Sequence, residues 1–332
     1  MTCFFDARGN VYGVVSPIEL RRRGVELPVD PHQAAQQRAL WAAAAIEACC
    51  QWAPGTQPAG GKQHRSDGLL VGPFQAAPPY DLLIVNTDGT LAERSGNGLT
   101  IFAQALTEQG LMPAQGHCVL KVHHDQHDTP SPVATSVEPA PVEGVQGFWL
   151  DLGKPAFGPQ AVGARGVEGA LLDQHAVSHV PMLSRLDPQW YHSQFVRIGN
   201  PHCVTLVARA TALPGNEQMN HPPLADELTR IAYAQPVGAG APCGAGVNLQ
   251  WAMLESENRL AARVFERGEG PTASSGTSAS AVACAAWSVG WVNAGEVLVV
   301  MPGGTALILL EAQGGVLSRV RLFGVARRVG RV

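Results

Sequence analysis

The chain has 332 residues, of which 45% are hydrophobic and 15% are charged, and its formal net charge is −4 at pH 7. This length corresponds to one large domain or two of ordinary size, with ample apolar material for a core. The sequence has no basic stripe, so we expect no nucleic-acid partner and no binding to an anionic membrane. The 37 glycines and 25 prolines favour strands and turns over a helical bundle.

The seven cysteines form no C-x-x-C pair, and their number is odd. This pattern does not suit a disulfide framework, so we expect a reducing compartment and a cytoplasmic location. The start of the chain, MTCFFDARGN, lacks a basic region followed by an apolar run, and we therefore expect no signal peptide. The longest apolar stretch, ALWAAAAIEACC, is too short to span a bilayer.

Two helices and several short strands are predicted in the first part of the chain. One helix is predicted from Pro31 to Trp52, where Ala, Gln and Leu predominate, and another in residues 99–110, where Gly110 is a natural stop. Strands are predicted in residues 3–16, 67–74 and 81–87. Residues 117–144 alternate weakly and contain HHDQHD, which we expect to be an exposed loop or hairpin.

The second part of the chain follows a similar plan. A helix is predicted in residues 279–290, again ending at a glycine. Strands are predicted in the following segments: 148–153, 195–207, 246–254, 259–268, 296–312 (two strands joined by a turn) and 319–329.

Each part contains a Ser-Gly turn that opens its long helix: SGNG at Ser95 and SGTS at Ser275. The first backbone amides of a helix are unpaired and carry partial positive charge, so two facing helix starts would hold a small carboxylate. The simpler interpretation is that both serines are ordinary N-caps. The coarse internal duplication favours a ligand site.

Several ordered motifs resemble those of the diaminopimelate epimerase family along nearly the whole chain. NTDGTLAERSGNG is similar to the family's N-x-D-G-S…C-G-N-G segment, IGNPHCV contains its G-N-P-H, and GVNLQ its G-x-N-x strand. FERGEGPTASSGTSASA resembles its E-R-G-x-G-x-T-x-x-C-G-T-G-A-C-A signature, and ARGNVYGVV its opening G-N-D-F. The protein is identified by these motifs as similar to the cofactor-independent amino-acid epimerases and racemases.

The resemblance implies an α+β fold of two pseudo-symmetric lobes, each a curved mixed or antiparallel sheet wrapped around a central helix. We expect the first lobe to comprise residues 1–117 and 318–332, the second to comprise residues 118–317, and the active site to lie in the cleft between them. The family needs no cofactor and no metal, acts in amino-acid metabolism such as lysine biosynthesis, and takes a small amino acid or carboxylate; homodimer formation is left open.

The resemblance also implies a role for individual residues. Ser95 and Ser275 stand where the family has its two catalytic cysteines, which exchange the α-proton on opposite faces of the substrate. The helix-start residues that would bind the reacting carboxylate are Gly96, Asn97, Gly276 and Thr277. The residues that would hold the distal end of the substrate are Asn10, Asn86, Asn200, Asn248, Glu266 and Arg267.

Serine at both positions changes the chemistry, because a hydroxyl is a much weaker acid than a thiol and needs an adjacent base. We favour natural divergence, with hydroxyl groups used for epimerisation or for an altered reaction such as dehydration by a lyase. The alternatives are a non-catalytic ligand binder and a deliberate double Cys→Ser replacement. The substitutions around both serines, such as GTSASA for GTGACA, argue against the last.

Other candidate sites are weaker. His123, His124, Asp125 and His127 match no standard zinc spacing, so a solvated loop is the better interpretation. Cys203 is expected to be buried in a strand, and Cys243 to be structural or incidental in a turn. No G-x-G-x-x-G or P-loop motif indicates a nucleotide site.

Overall fold

The computed structural model describes residues 1–59, 62–126 and 130–331. The chain divides into two compact units, one formed by Met1–Asp151 with Gly324–Val332 and the other by Leu152–Phe323. Over the described residues, no helix is both long and apolar enough to cross a membrane.

The elements are numbered in chain order. The strands are β1 Cys3–Ala7, β2 Asn10–Val15, β3 Gly68–Val71, β4 Tyr80–Asn86, β5 Cys118–His123, β6 Val133–Val142, β7 Val145–Gly153, β8 Ala156–Phe157, β9 Glu168–Leu172, β10 His175–His179, β11 His192–Ile198, β12 Asn200–Leu206, β13 Asn248–Ser256, β14 Arg259–Glu266, β15 Gly270–Thr272, β16 Gly295–Met301, β17 Gly304–Gln313, β18 Val316–Gly324 and β19 Arg327–Arg331. The α-helices are α1 Pro17–Arg22, α2 Pro31–Gln36, α3 Arg38–Cys50, α4 Gly96–Glu108, α5 Pro159–Val162, α6 Pro181–Leu186, α7 Asn216–Met219, α8 Leu224–Ala232 and α9 Gly276–Ser288.

The first unit is a mixed sheet packed on helix α4. Strand β1 pairs antiparallel with β2 and with β19, so the end of the chain returns to the first unit as expected. Strand β2 runs parallel to β3 and β4 runs parallel to β5, whereas β3 and β4 are antiparallel. Helix α4 contacts β1 and β2, and most of its residues are buried.

The boundary of the first unit differs from the expected one. Residues 118–151 belong to the first unit, whereas the resemblance suggested the second lobe for them. The reason lies in strand pairing: β5 lies parallel to β4, and β6 and β7 add to β5 as an antiparallel meander. At the other end of the chain, the division falls between Phe323 and Gly324 rather than between residues 317 and 318.

The second unit repeats this plan around helix α9. Strands β11 and β12 are antiparallel, β12 runs parallel to β13, and β14 runs parallel to β16. Helix α9 contacts strands on several sides, from β11 to β14 as well as β16 and β17, and Gly276 to Ala286 are all buried. Both units therefore consist of a mixed sheet around one buried helix, which confirms the predicted α+β fold class.

The sequence missed several short elements and one helix break. The predicted helix from Pro31 to Trp52 is two helices, α2 and α3, separated at Gln37. Asp30 caps the first of them by accepting a hydrogen bond from the Gln33 amide at 2.8 Å. The prediction assigned no element to residues 154–194 and 208–245, which contain β8, β9, β10 and helices α5 to α8.

Candidate active site

Helix α4 begins at Ser95, which is its N-cap. Ser95 has extended backbone angles, and its Oγ accepts a hydrogen bond from the Gly98 amide at 3.0 Å. Glycine suits position 98 because a Cβ there would lie only 3.1 Å from the Ser95 Cβ, closer than an ordinary van der Waals contact. The turn SGNG therefore allows the serine hydroxyl to lie directly over the first turn of the helix.

Helix α9 begins in the same way at Ser275. The backbone angles of Ser275 are φ −145° and ψ 122°, close to the −139° and 119° of Ser95. Its Oγ accepts a longer hydrogen bond, 3.4 Å, from the Ser278 amide. Both predicted helix starts are confirmed, and both serines are N-caps as the simpler interpretation required.

The helix starts present buried backbone at the two places where a carboxylate was expected. Gly96, Asn97, Gly276 and Thr277 are all buried in the first turns of α4 and α9. Amides in a first turn have no carbonyl partner within their own helix. Together with the positive end of the helix dipole, they form an environment that favours an anion.

A carboxyl group lies against the start of α9. Glu266, at the end of β14, accepts a hydrogen bond from the Ser275 Oγ at 2.6 Å and a longer one from the Ser278 Oγ at 3.5 Å, both at its Oε1 atom. Ser278 stands where the family signature has glycine, so two departures from that signature point to the same carboxyl oxygen.

Glu266 has a perturbed acidity. Burial, aided by the negative charge of Glu269, raises the pKa of this carboxyl from 4.5 to about 7, although the hydrogen bonds from Ser275 and Ser278 oppose the rise. The start of α9 also favours the charged form of Glu266. Desolvation nevertheless outweighs these interactions, and the carboxyl is balanced between its two protonation states at neutral pH, as a general acid–base group requires.

A buried amide links this group to a histidine. The Gln250 Nε2 donates to the Ser278 Oγ and to the His202 Nδ1, each at 3.0 Å. Burial, together with the positive charges of Arg267 and Arg197, lowers the pKa of His202 from 6.5 to about 3. His202 is therefore neutral at physiological pH. None of the hydrogen bonds described for His202 or for Ser275 joins these two residues.

The turn after β14 is held by one of the expected binding residues. Asn248 accepts a hydrogen bond from the Arg267 backbone amide at 2.9 Å through its Oδ1, and the Arg267 Nη1 donates to the Ala245 carbonyl at 2.8 Å. Asn248 is buried at the start of β13. Asn248, Glu266 and Arg267 are thus brought together within the second unit, where Asn200 begins the neighbouring strand β12.

The two expected asparagines of the first unit are anchored to nearby side chains. The Asn10 Nδ2 donates to Asp67 at 3.0 Å, and the Asn86 Nδ2 donates to the Thr90 Oγ1 at 2.9 Å. Asn10 and Asn86 are both partly buried. These contacts fix the orientation of both amides.

Three residues near the serines were not selected from the sequence. Gln250 carries no motif signal of its own, and Ser278 was visible only as part of the departure GTSASA from the family signature; the contacts described above show their place. Arg94, directly before Ser95, is buried and donates to Thr135 and to the Ala134 carbonyl. Burial lowers the pKa of Arg94 to about 10, and the negative charge of Asp151 opposes that shift. The only available signal was an arginine in an otherwise sparsely charged chain.

The histidine-rich segment was wrongly predicted to be exposed. His123 and His124 are buried, since His123 ends β5 and each ring has a polar partner. The His123 Nε2 lies 2.6 Å from Asp81, and the His124 Nε2 lies 3.0 Å from the Pro130 carbonyl. In the described residues, no cluster of His, Cys, Asp or Glu could hold a metal ion; His127 lies outside them.

The remaining cysteine predictions concern two thiols of the second unit. Cys203 lies in β12 and is completely buried, as expected. Cys243 is also buried, and burial raises its pKa to about 11, which is consistent with the structural interpretation. All seven cysteines are unpaired.

Sequence comparison connects this site with known proteins. The model of the family described as diaminopimelate epimerase matches residues 194–324, a range that includes Glu266 and Ser275. Diaminopimelate epimerase 2 of Nostoc sp. is 28% identical over 251 residues, 74% of each chain. The diaminopimelate epimerase of Desulfitobacterium hafniense is 28% identical over 267 residues, 79% of this chain and 80% of that protein. In sequence, the chain is therefore similar to diaminopimelate epimerases.

Solved structures resemble this chain in their fold. A phenazine biosynthesis protein of Bacillus anthracis matches with a TM-score of 0.57 at 14% identity, and the match covers 99% of this chain and 96% of that protein. A probable proline racemase from Agrobacterium radiobacter has the same TM-score and identity, with coverage of 99% and 91%. At this level of identity the likeness concerns the fold.

Proposed function

We propose that this protein is a cofactor-independent epimerase or racemase that moves the α-proton of a small amino acid or a related carboxylate. The observation that carries this proposal is the repeated helix start, in which a serine hydroxyl lies over the first turn of both α4 and α9. One of these hydroxyls, that of Ser275, is also hydrogen-bonded to a carboxyl group. Serine needs such an adjacent base to take part in proton transfer.

In this proposal the two helix starts bind the substrate. Its reacting carboxylate accepts hydrogen bonds from the first-turn amides of Gly96, Asn97, Gly276 and Thr277. These positions are buried, and unpaired amides in a water-poor environment bind an anion strongly. A carboxylate by itself does little to make the α-proton more acidic. The positive helix ends therefore have a second role, because they stabilise the negative charge that develops when the α-proton leaves.

The distal end of the substrate is assigned to the remaining polar residues. We propose Asn10 and Asn86 from the first unit, and Asn200, Asn248, Glu266 and Arg267 from the second. The asparagine amides are already oriented by protein contacts, which lowers the entropy lost on binding. Diaminopimelate is the first candidate substrate, because relatives with that activity in their names align with most of the chain.

The proposed location is supported by the cysteines. All seven are unpaired, and six of them are buried, which suits a reducing compartment. We therefore propose a cytoplasmic enzyme that acts on a soluble amino acid, with a homodimer as the assembly to be tested by sedimentation.

The test is the exchange of the substrate α-proton in D2O, followed by ¹H NMR. Diaminopimelate is incubated first, followed by the common amino acids and proline derivatives. We expect loss of the α-proton signal from at least one of them. If every amino acid that binds in calorimetry keeps its α-proton, the proposal is wrong and the protein is a ligand binder; an olefinic signal would indicate a lyase instead.

Matched variants separate chemistry from helix capping. Ser95→Ala and Ser275→Ala should each abolish exchange while leaving the fold intact. Ser16→Ala is the control, because Ser16 caps helix α1 in the same way, with its Oγ accepting from the Glu19 amide at 3.2 Å, but lies outside the proposed site. Exchange should be unchanged in that variant.

A further inference from the structure

Apart from the helix starts of α4 and α9, three polar side chains of the second unit form a hydrogen-bonded series. The register of the β9–β10 hairpin places His179 directly opposite Glu168, and the His179 Nδ1 lies 3.0 Å from the Glu168 Oε2. On the other side of the ring, the His179 Nε2 lies 2.7 Å from the Ser184 Oγ. A carboxylate, an imidazole and a hydroxyl are therefore connected in that order.

The carboxylate determines which nitrogen of a neutral His179 ring carries the proton. An ionised Glu168 can only accept a hydrogen bond, so Nδ1 donates, and Nε2 then presents its lone pair to the Ser184 hydroxyl. The Ser184 Oγ has a second acceptor nearby, the Pro181 carbonyl, but that contact is 3.4 Å long. The shorter contact with the ring favours a hydroxyl that donates to imidazole, which is the arrangement that activates a serine nucleophile.

The surroundings hold the imidazole in this position. The antiparallel pairing of β9 and β10 fixes the backbone on which His179 and Glu168 lie. Tyr191 stacks on the His179 ring, with the ring centroids 4.2 Å apart and an interplanar angle of 17°. Ser184 belongs to helix α6, which begins two residues after His179. The base and the hydroxyl are thus placed by regular elements, as a preorganised site requires.

The series lies at the protein surface, where a small molecule can reach it. Ser184 is partly buried, and the side chains of His179 and Glu168 are 13% and 67% exposed respectively. Tyr191 is exposed beside them. The carboxylate at one end is solvated, and the imidazole that separates it from the hydroxyl is mostly covered.

The backbone around Ser184 indicates which substrates the hydroxyl could attack. The amides of Leu183 and Ser184 both bond to the Val180 carbonyl, and Pro181 has no N–H group. The first turn of α6 therefore contributes little to an oxyanion hole, which is a large part of the catalytic power of serine hydrolases. A substrate with a good leaving group depends less on that stabilisation, so activated esters suit the site better than amides do.

We propose that Ser184 is a second nucleophilic centre, which accepts the acyl group of a small activated carboxylic ester with His179 as its general base. The Ser184 Oγ bonds to the carbonyl carbon while its proton passes to the His179 Nε2. The bond between the carbonyl carbon and the leaving oxygen breaks, and that oxygen takes the proton from Nε2. Glu168 does not touch the ester and is a positioning residue that orients the ring.

Water restores the serine by the same route. The water oxygen bonds to the acyl carbon, and a water proton passes to the His179 Nε2. The bond between the acyl carbon and the Ser184 Oγ then breaks, and Oγ recovers the proton from Nε2 as the carboxylic acid leaves. These steps use no residue that is proposed to bind or deprotonate an amino acid, so the inference is independent of the proposed function.

The test uses p-nitrophenyl acetate and the initial rate of p-nitrophenolate release by the full chain. We expect Ser184→Ala to lower this rate by at least about 10-fold and His179→Gln to lower acetylation of Ser184 by about 100-fold. Acid-quenched wild-type protein should carry the acetyl group on the peptide that contains Ser184. Ser318→Ala is the matched control and should not change the rate, because Ser318 is exposed and its hydroxyl donates to the Glu311 carbonyl. Release that is as fast in Ser184→Ala as in the wild type would overturn the inference.

A spectroscopic measurement tests the positioning role of Glu168 without any ester. In ¹⁵N NMR at a pH where the ring is neutral, His179 should be the Nδ1–H tautomer in the wild-type protein. In Glu168→Gln it should be a mixture of tautomers, because an amide can either donate or accept. The Nε2–H tautomer in the wild type would overturn the inference. Exchange of α-protons should be the same in Ser184→Ala as in the wild type, so failure of the proposed function is recognised separately.

Discussion

Replacing Glu266 by glutamine should change how the stability of this protein depends on pH. The Glu266 pKa is raised from 4.5 in the unfolded chain to about 7 in the folded protein, mainly by burial. Between these values the folded state binds more protons than the unfolded state, so stability falls as the pH rises through this window and stays low above it. The shift corresponds to about 3 kcal/mol of stability present at pH 4 and lost by pH 8.

The assay is urea unfolding followed by circular dichroism at several pH values for the wild-type protein and for Glu266→Gln. From pH 4 to pH 8 the wild-type protein should lose about 3 kcal/mol of unfolding free energy relative to Glu266→Gln. Glu296→Gln is the matched control, because Glu296 is exposed on β16. If the difference in unfolding free energy between wild type and Glu266→Gln stays constant over this range, the claim that burial raises the Glu266 pKa is wrong.

Four further predictions concern other parts of the account. Ser16→Ala, Ser95→Ala and Ser275→Ala each remove an N-cap bond and should each lower the free energy of unfolding by about 1 kcal/mol in urea titrations; no loss would contradict the cap geometry. Replacing both Ser95 and Ser275 by cysteine should accelerate α-proton exchange, because a thiol ionises far more readily than a hydroxyl, and a slower enzyme would argue against proton transfer at these positions. His202, whose pKa is lowered to about 3 by burial, should show no titration between pH 5 and pH 9 in ¹⁵N NMR; a titration near pH 6.5 would show that the ring is solvated. In the native protein a thiol reagent should react rapidly with Cys3 alone, since the other six cysteines are buried, and with all seven in denaturant.

The fold could be predicted well where a long pattern was present. The helices after Ser95 and Ser275 have apolar residues over several turns and a serine at their start, and both occur as predicted, α4 with its C-terminal glycine at Gly110 and α9 with Gly290. Short elements were missed, among them β9 and β10, because a strand of five residues has too few positions to establish a period.

The site could be predicted only in part. The sequence indicates which residues begin the helices, but it does not indicate which side chains approach them from distant strands. Glu266 was selected as part of a substrate clamp, whereas its 2.6 Å contact with Ser275 became visible only when β14 was placed against α9. Likewise, the segment with His123 and His124 was predicted to be a solvated loop, because their partners, Asp81 and Pro130, could not be assigned from the sequence.

The central claim is that the protein inverts a carbon centre by removing and returning a proton. The most direct measurement follows a single pure stereoisomer of diaminopimelate, and then of each amino acid that binds, in D2O by chiral chromatography coupled to mass spectrometry. The account predicts that the inverted product carries one deuteron per inversion and that Ser275→Ala forms none of it. Binding without inversion or deuterium incorporation, for every amino acid tested, would contradict the account.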